Sequence, residues 1–366
     1  MKEKRPLKLI LESTRNLWDQ PATRPAVRDN FGKVISCGTL ALGAEVFASD
    51  TEKKVVPHTC KSKSCPSCGH RATQLWQREQ WAALPDVPYA GICLTMPDVL
   101  WPMFQRNRHL LHDLPALGAA VIQQWVKATY GVRVLIMVVP HTFGRKLNFN
   151  AHLHTLVSTA GLQESEGRWV SPISLNKAAL MCQWRYAVIT FLRETVKANL
   201  LRSDFSDRHL KAILTEQCER WWNIDIDHFK SKAQFLRYAG RYIRHSPIAQ
   251  HRFAAVTDRE VSFWRKDLRL KQQVLTQYSI EAFVALLADQ VPDRYQHAMR
   301  YFGLLAPRLK SHTSAAMFAL LGQKKRPCPE RLSWRNALMK TFGRDPLTDS
   351  RGQTMWWTAR LSPVAG

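Results

Sequence analysis

Acidic residues are scarce in this chain: 29 Asp and Glu stand against 53 Lys and Arg in 366 residues, for a net charge of +24 and a pI near 10.0. So lopsided a chain repels itself unless a polyanion neutralises it, and nucleic acid is therefore the first partner to expect. Long apolar runs are also missing. The most apolar stretch, Val132 to Val139, is strand-sized and far short of the roughly 20 residues that cross a bilayer. No basic amphipathic helix or lipid anchor stands out, so no membrane partner is expected. Lys2, Lys4 and Arg5 precede only Leu7 to Leu11, too short for a signal-peptide core and without a small-residue cleavage site. A cytoplasmic, nucleoid-associated protein is the expectation. A Gly-rich phosphate loop is absent, which argues against a nucleotide cofactor. So are internal repeats and low-complexity tracts. Cysteine is sparse: three of the eight cluster and the rest are scattered, a usage that suits a reducing compartment and a metal site.

What is present is a foldable chain. Apolar residues make up 45%, enough for sizeable cores. Residues up to about Trp18 read as helical, and Glu45 to Phe47 and Lys54 to Val56 as extended. Ala72 to Ala83 reads as a helix that Pro85 and Pro88 stop, and the first domain boundary falls there. Tyr89 to Thr95 is a buried-type strand, followed by helices over 97–106 and 116–130. Val132 to Val139 and Ala151 to Thr159 read as an antiparallel strand pair joined by a loop from Pro140 to Phe149. A long helix spans about 175–200, and Trp222 to Asp227 alternates as a half-buried strand. Ser231-Lys-Ala-Gln234 is a capping box opening a helix that runs to Ser246-Pro247. A hairpin over 251–266 and basic helices follow. This order indicates an α+β sheet domain over 86–266, between an N-terminal metal module over 1–85 and a helical basic region over 267–366.

Three motifs carry chemistry. In Asn150-Ala-His-Leu-His154, residues two apart on a strand face one way, so His152 and His154 project together while Leu153, Thr155 and Val157 face the other side. Two neutral imidazoles on a rigid strand can hold one divalent cation, leaving positions open for phosphate oxygens. The third ligand is open, with Asp225 and His245 as candidates. In Phe235-Leu-Arg-Tyr238-Ala-Gly-Arg-Tyr242-Ile-Arg-His245, helical spacing places Tyr238 and Tyr242 on one face. A phenol aimed at a metal-held phosphodiester can attack it and leave a phosphotyrosine. Arg237, Arg241 and Arg244 lie ready to contact DNA phosphates. In Cys60-Lys-Ser-Lys-Ser-Cys65-Pro-Ser-Cys68, the C-x-x-C with its turn residues suits Zn²⁺. The fourth ligand comes from Cys37, His58 or His70, and the set carried forward is Cys37, Cys60, Cys65 and Cys68. Lys61 and Lys63 beside it suit DNA contact.

Together these motifs resemble the HUH-type rolling-circle transposases of bacterial insertion sequences, the two-tyrosine group. The similarity is carried by HTCKSKSCPSCG, HTFGRKLNFNAHLHTLVSTAG, YAGRYIRHSPIA and RYFGLLAPR, from about Cys37 to Arg308. It implies a ferredoxin-like antiparallel sheet and Mg²⁺ or Mn²⁺ on His152 and His154. It further implies that Tyr238 and Tyr242 cut single-stranded or hairpin DNA at element ends and join it to target DNA through a 5′-phosphotyrosine. Two Cys pairs common in the family are missing, since Phe47-Ala-Ser-Asp50 and Asp345-Pro-Leu-Thr-Asp349 stand in their places. The alternatives are a replication initiator or relaxase with the same chemistry, a zinc-containing DNA-binding regulator without catalysis, and a His-x-His hydrolase.

Overall fold

The computed structural model describes residues 5–242, 246–267, 270–330 and 332–364. The chain opens with α1 (Pro6–Ser13), α2 (Arg15–Trp18), α3 (Pro25–Ser36), β1 (Ala44–Ala48), β2 (Lys53–Pro57) and α4 (Pro66–Ala83). β3 (Tyr89–Leu94), α5 (Trp101–Arg106), α6 (Leu114–Tyr130), β4 (Arg133–Phe143), β5 (Phe149–Gln163) and β6 (Arg168–Val170) follow. Then come α7 (Lys177–Lys197), α8 (Asp207–Glu219), β7 (Ile224–Phe229) and α9 (Lys232–Gly240). The remainder holds β8 (Phe253–Val256), β9 (Glu260–Lys266), β10 (Gln273–Ser279), α10 (Ile280–Gln290), β11 (Arg300–Gly303), α11 (Pro307–Leu320), α12 (Trp334–Phe342) and β12 (Trp356–Leu361). These strand pairings are all antiparallel, and the fold is α+β. No helix among the described residues is long and apolar enough to cross a membrane.

The chain forms two compact units. One gathers Met1–Trp76, His245–Val291 and Cys328–Gly366, and the other Gln77–Arg244 and Pro292–Pro327. The last hundred residues supply helices, as expected, and also three strands, each pairing with an earlier one: β10 with β9, β11 with β4 and β12 with β1. In the first unit these build two small sheets, ordered β12-β1-β2 and β10-β9-β8. α3, which the sequence reading does not single out, buries Ala26, Val27, Phe31, Val34 and Ile35, a stripe at helical spacing.

The second unit is built on one sheet in the order β11-β4-β5-β3-β7, with β6 paired to β5. Register decides its two faces. Leu94 pairs with Leu153, Ile92 with Thr155 and Ala90 with Val157. The apolar members of these pairs join Ile122 of α6 and Trp184, Val188 and Leu192 of α7 in the main core. Each fully buried aliphatic side chain contributes about 1.5–3 kcal/mol to that packing. α6 begins with Pro115 in its first turn and ends at Gly131, whose φ of +68° closes the helix as only glycine does cheaply. The opposite face carries Cys93 beside His154 and Gly91 beside Leu156. Against it lies α9, through Tyr238 over Gly91 and Phe235 stacked on Tyr89 at 4.2 Å.

Two element ends differ from the sequence reading, and both matter for the site. β4 does not stop at Val139 but continues through Pro140 to Phe143, so His141 is on the strand rather than in a loop. Proline is tolerated there because β11 pairs only with Leu135 to Val138, leaving β4 an edge beyond that point. α9 begins as expected, with the Ser231 hydroxyl accepting from the Gln234 N–H at 3.3 Å. It ends at Gly240, however, and Tyr242 lies in the turn beyond it. Glycine is the residue least suited to a helix interior after proline, and the chain breaks there.

Candidate metal and nucleophile centre

The four cysteines chosen from the sequence converge. Cys37 Sγ lies 3.7 Å from Cys65 Sγ and from Cys68 Sγ, and Cys60 Sγ lies 3.7 Å from Cys68 Sγ. A tetrahedron of sulfurs about 2.3 Å from a central zinc has edges of about 3.8 Å, whereas a disulfide would bring two sulfurs to about 2.05 Å. The geometry is that of a four-cysteine zinc site, and all four are free thiols. The Cys60 thiol donating to it lowers the Cys37 pKa to about 6, towards the thiolate that metals bind. Local structure makes this possible: Cys37 caps the end of α3, and Cys68 sits in the first turn of α4. The other candidates are used elsewhere or excluded. His58 spends both ring nitrogens on Leu42 O (3.0 Å) and Glu45 Oε1 (3.1 Å), and His70 is exposed and outside the cluster. Lys61 is exposed and Lys63 half-buried.

The second cluster consists of His141, His152 and His154. His141 and His152 are directly opposed across the β4–β5 ladder, and His152 and His154 share a face of β5. The ring centroids lie 4.8–5.5 Å apart. Nε2 of His152 and Nε2 of His154 are 3.2 Å apart, the separation of two nitrogens each about 2.1 Å from one ion at angles between octahedral and tetrahedral. Tautomers follow from the carbonyls nearby. His152 donates through Nδ1 to Asn150 O (2.8 Å) and His141 through Nε2 to Tyr242 O (2.7 Å). In the neutral rings the lone pairs then sit on His152 Nε2 and His141 Nδ1. His154 Nδ1 is buried without a hydrogen-bond partner among the described residues. Burial pushes the His152 pKa down, and burial together with His152 pushes that of His154 to about 2. Both rings are neutral near pH 7, the form that binds cations. The cluster fits a divalent metal.

Among the described residues, the third member of the cluster is His141. Asp225 lies in the lateral row of His154, one strand beyond Cys93, but its side chain is 79% exposed and pairs with Lys177 at 3.4 Å, outside the histidine cluster. His245 and Arg244 lie outside the described residues. The signal that could have found His141 was antiparallel register, which places it opposite His152 once the strand is carried through Pro140.

The tyrosines adjoin this cluster. The Tyr242 ring stacks on His154 at 3.7 Å between centroids, and the Tyr238 ring lies 5.0 Å from that of Tyr242. Tyr238 is buried, which raises its pKa. The exposed Arg241 holds its guanidinium 4.9 Å from the Tyr238 ring and 6.0 Å from that of Tyr242. Arg237 is exposed on α9. Cys93, in the row of His154, has its thiol pushed up to about 12 by burial, with Asp225 and Asp227 adding to it, and is inert at neutral pH.

Over 319 residues the chain is 30% identical to "Transposase for insertion sequence element IS801" of Pseudomonas savastanoi pv. phaseolicola, covering 83% of this chain and 77% of that one. The chain belongs to the two-tyrosine rolling-circle transposase family of bacterial insertion sequences. A second relative of this transposase is "Putative transposase y4qJ" of Sinorhizobium fredii, 26% identical over 306 residues, or 78% of this chain and 76% of the relative. The family profile described as "Transposase zinc-binding domain" matches residues 9–96, which include all four cysteines. The profile described as "Putative transposase" matches residues 136–313, which include the three histidines and both tyrosines. No solved structure matches this transposase.

Proposed function

We propose that this transposase nicks and rejoins single-stranded DNA at the ends of its element through a 5′-phosphotyrosine, with HUH-type chemistry. The observation that carries the reading is that Tyr242 adjoins the three-histidine cluster: its ring stacks on His154 at 3.7 Å between centroids and its carbonyl accepts from His141. In this reading His141, His152 and His154 hold one Mg²⁺ or Mn²⁺, which when bound neutralises charge developing on the scissile phosphate. Tyr238 and Tyr242 are the nucleophiles. A phenol oxygen bonds to phosphorus as the P–O3′ bond breaks, and the phenol proton ends on the departing 3′-hydroxyl. The phosphotyrosine keeps the energy of the broken bond, so rejoining needs no nucleotide cofactor. Arg237, Arg241 and Arg244 steady the phosphates.

Zn²⁺ on Cys37, Cys60, Cys65 and Cys68 fixes an N-terminal module that offers Lys61 and Lys63 to hairpin or single-stranded DNA. We keep the division of labour drawn on the sequence: DNA contact over 1–85, chemistry over 86–266 and basic support over 267–366, in a cytoplasmic protein working at the nucleoid. Both curated relatives are described as transposases, which favours transposition over replication initiation. The test is incubation with labelled single-stranded element ends and Mn²⁺ on a denaturing gel. A covalent adduct is expected in the wild type and none in the double variant Tyr238→Phe, Tyr242→Phe. An adduct that survives the double substitution sinks the proposal.

A further inference from the structure

We propose that the two tyrosines act in a fixed order, Tyr242 making the first cut while Tyr238 waits in a closed seat above Gly91. The inference rests on the nucleophile roles proposed above and concerns what distinguishes the two residues.

Their surroundings are not equivalent. Tyr242 lies past the end of α9, half-buried, with its ring against His154. Tyr238 is within α9, 7% exposed, and its ring rests on the floor of the sheet. The space it fills exists because residue 91 has no side chain. A Cβ at Gly91 would stand 2.6 Å from Tyr238 Cε1, 3.0 Å from Cζ and 3.2 Å from Oη. The hydroxyl end of Tyr238 is therefore the end pressed against β3. Phe229 closes one side at 4.8 Å, the Tyr242 ring another at 5.0 Å, and the Arg241 guanidinium a third at 4.9 Å.

In-line attack requires the phenol oxygen about 3–3.5 Å from phosphorus with a clear approach. The strand backbone at Gly91 obstructs one approach to that oxygen, and three side chains flank the ring that carries it. Moreover, Gly91 lies two residues from Cys93, the lateral neighbour of His154, so the seat is about 6–7 Å along the sheet from the histidine row. Tyr242 is less buried, and its ring lies in the histidine row itself, against His154. The first step forms Tyr242 Oη–P and breaks P–O3′, and the phenol proton leaves on the 3′-hydroxyl. The Tyr242 side chain now carries a phosphodiester too bulky to stay beside the Tyr238 ring. The seat loses one wall, and Tyr238 can leave it for the second transfer, which has the same balance of bonds and protons. Burial of one phenol thus becomes a gate that holds Tyr238 back until Tyr242 carries the first strand.

The order is read by single-turnover reaction of the full-length protein with a labelled single-stranded element end and Mn²⁺, followed by peptide mapping of the adduct. At early times Tyr242 is expected to carry at least 10-fold more adduct than Tyr238. Tyr242→Phe should slow first-adduct formation at least 100-fold, and Tyr238→Phe should accumulate the Tyr242 adduct and lose the second transfer. Adding Gly91→Ala to Tyr242→Phe should raise the Tyr238 adduct at least 10-fold over Tyr242→Phe alone, because the new Cβ evicts the ring. Phe229→Ala in the same background opens the seat from another side and serves if Gly91→Ala does not fold. An early adduct on Tyr238, or failure of both seat variants to raise it, overturns the order. No adduct on either tyrosine overturns the phosphotyrosine reading instead.

Discussion

His141 donates through Nε2 to the carbonyl oxygen of Tyr242 at 2.7 Å, so the third histidine and the second tyrosine form one hydrogen-bonded unit. A carbonyl can only accept, which fixes a proton on Nε2 and, in the neutral ring, leaves the lone pair on Nδ1. The same bond ties a potential ligand to the backbone of a potential nucleophile. The turn after α9 is thereby held at the cluster although the helix itself ends at Gly240.

From this pairing, His141→Ala is expected to weaken Mn²⁺ binding at least 10-fold, measured by titration calorimetry on the full chain with zinc retained. Asp225→Asn should change it less than about 2-fold, since that carboxylate faces solvent and Lys177. An equal loss in both variants would return Asp225 to the ligand set.

Native mass spectrometry should find one zinc per chain, and Cys37→Ser should lose it. His58→Gln and His70→Gln should keep it, because His58 is committed to Leu42 and Glu45 and His70 is exposed. Removal of zinc by a chelator is expected to lower the melting temperature of the wild type and not that of Cys37→Ser.

Acid should destabilise the metal-free protein through the histidine cluster. Unfolded, His154 binds a proton below about pH 6.5, whereas in the fold burial holds its pKa near about 2. Over that window the unfolded state carries more protons. Stability is therefore full above about 6.5 and is lost as pH falls, by up to about 1.4 kcal/mol per pH unit from this one group. Urea midpoints at about pH 7.5, 6 and 5 should fall accordingly, and His154→Gln should flatten the slope.

The first residue of α9, Lys232, is an anchor. Its buried ammonium donates to Trp81 O (3.0 Å) and Leu84 O (2.8 Å) at the end of α4 and pairs with Asp86 (2.9 Å). Burial lowers its pKa, and Asp86 pulls it back up. Lys232→Met removes the ammonium that serves both carbonyls and leaves Asp86 with Arg326, with an expected loss of about 2–4 kcal/mol. Denaturant unfolding measures this loss, and faster proteolysis within α9 would place it locally.

Local pattern made much of this legible. The histidine strand, the α6 helix, the cap at Ser231 and the β8–β9 hairpin are written in alternation, spacing and turn chemistry, which act over a few residues. α3 was missed because its stripe lies in a segment with no motif to draw attention. Pro140 misled because proline usually ends a strand, and only the short reach of β11 explains why here it does not.

By itself the sequence determined that the chain is basic, that His152 and His154 face one way, and which cysteines could share a metal. These depend on composition and on the two-residue period of a strand. Tertiary structure alone decided that His141 completes the histidine cluster, that Asp225 turns away to Lys177, and that Tyr238 lies under cover while Tyr242 meets His154. Those outcomes depend on which strands are neighbours, in what register, and where a helix stops. Such facts are set by the packing of distant segments, and no local spacing carries them.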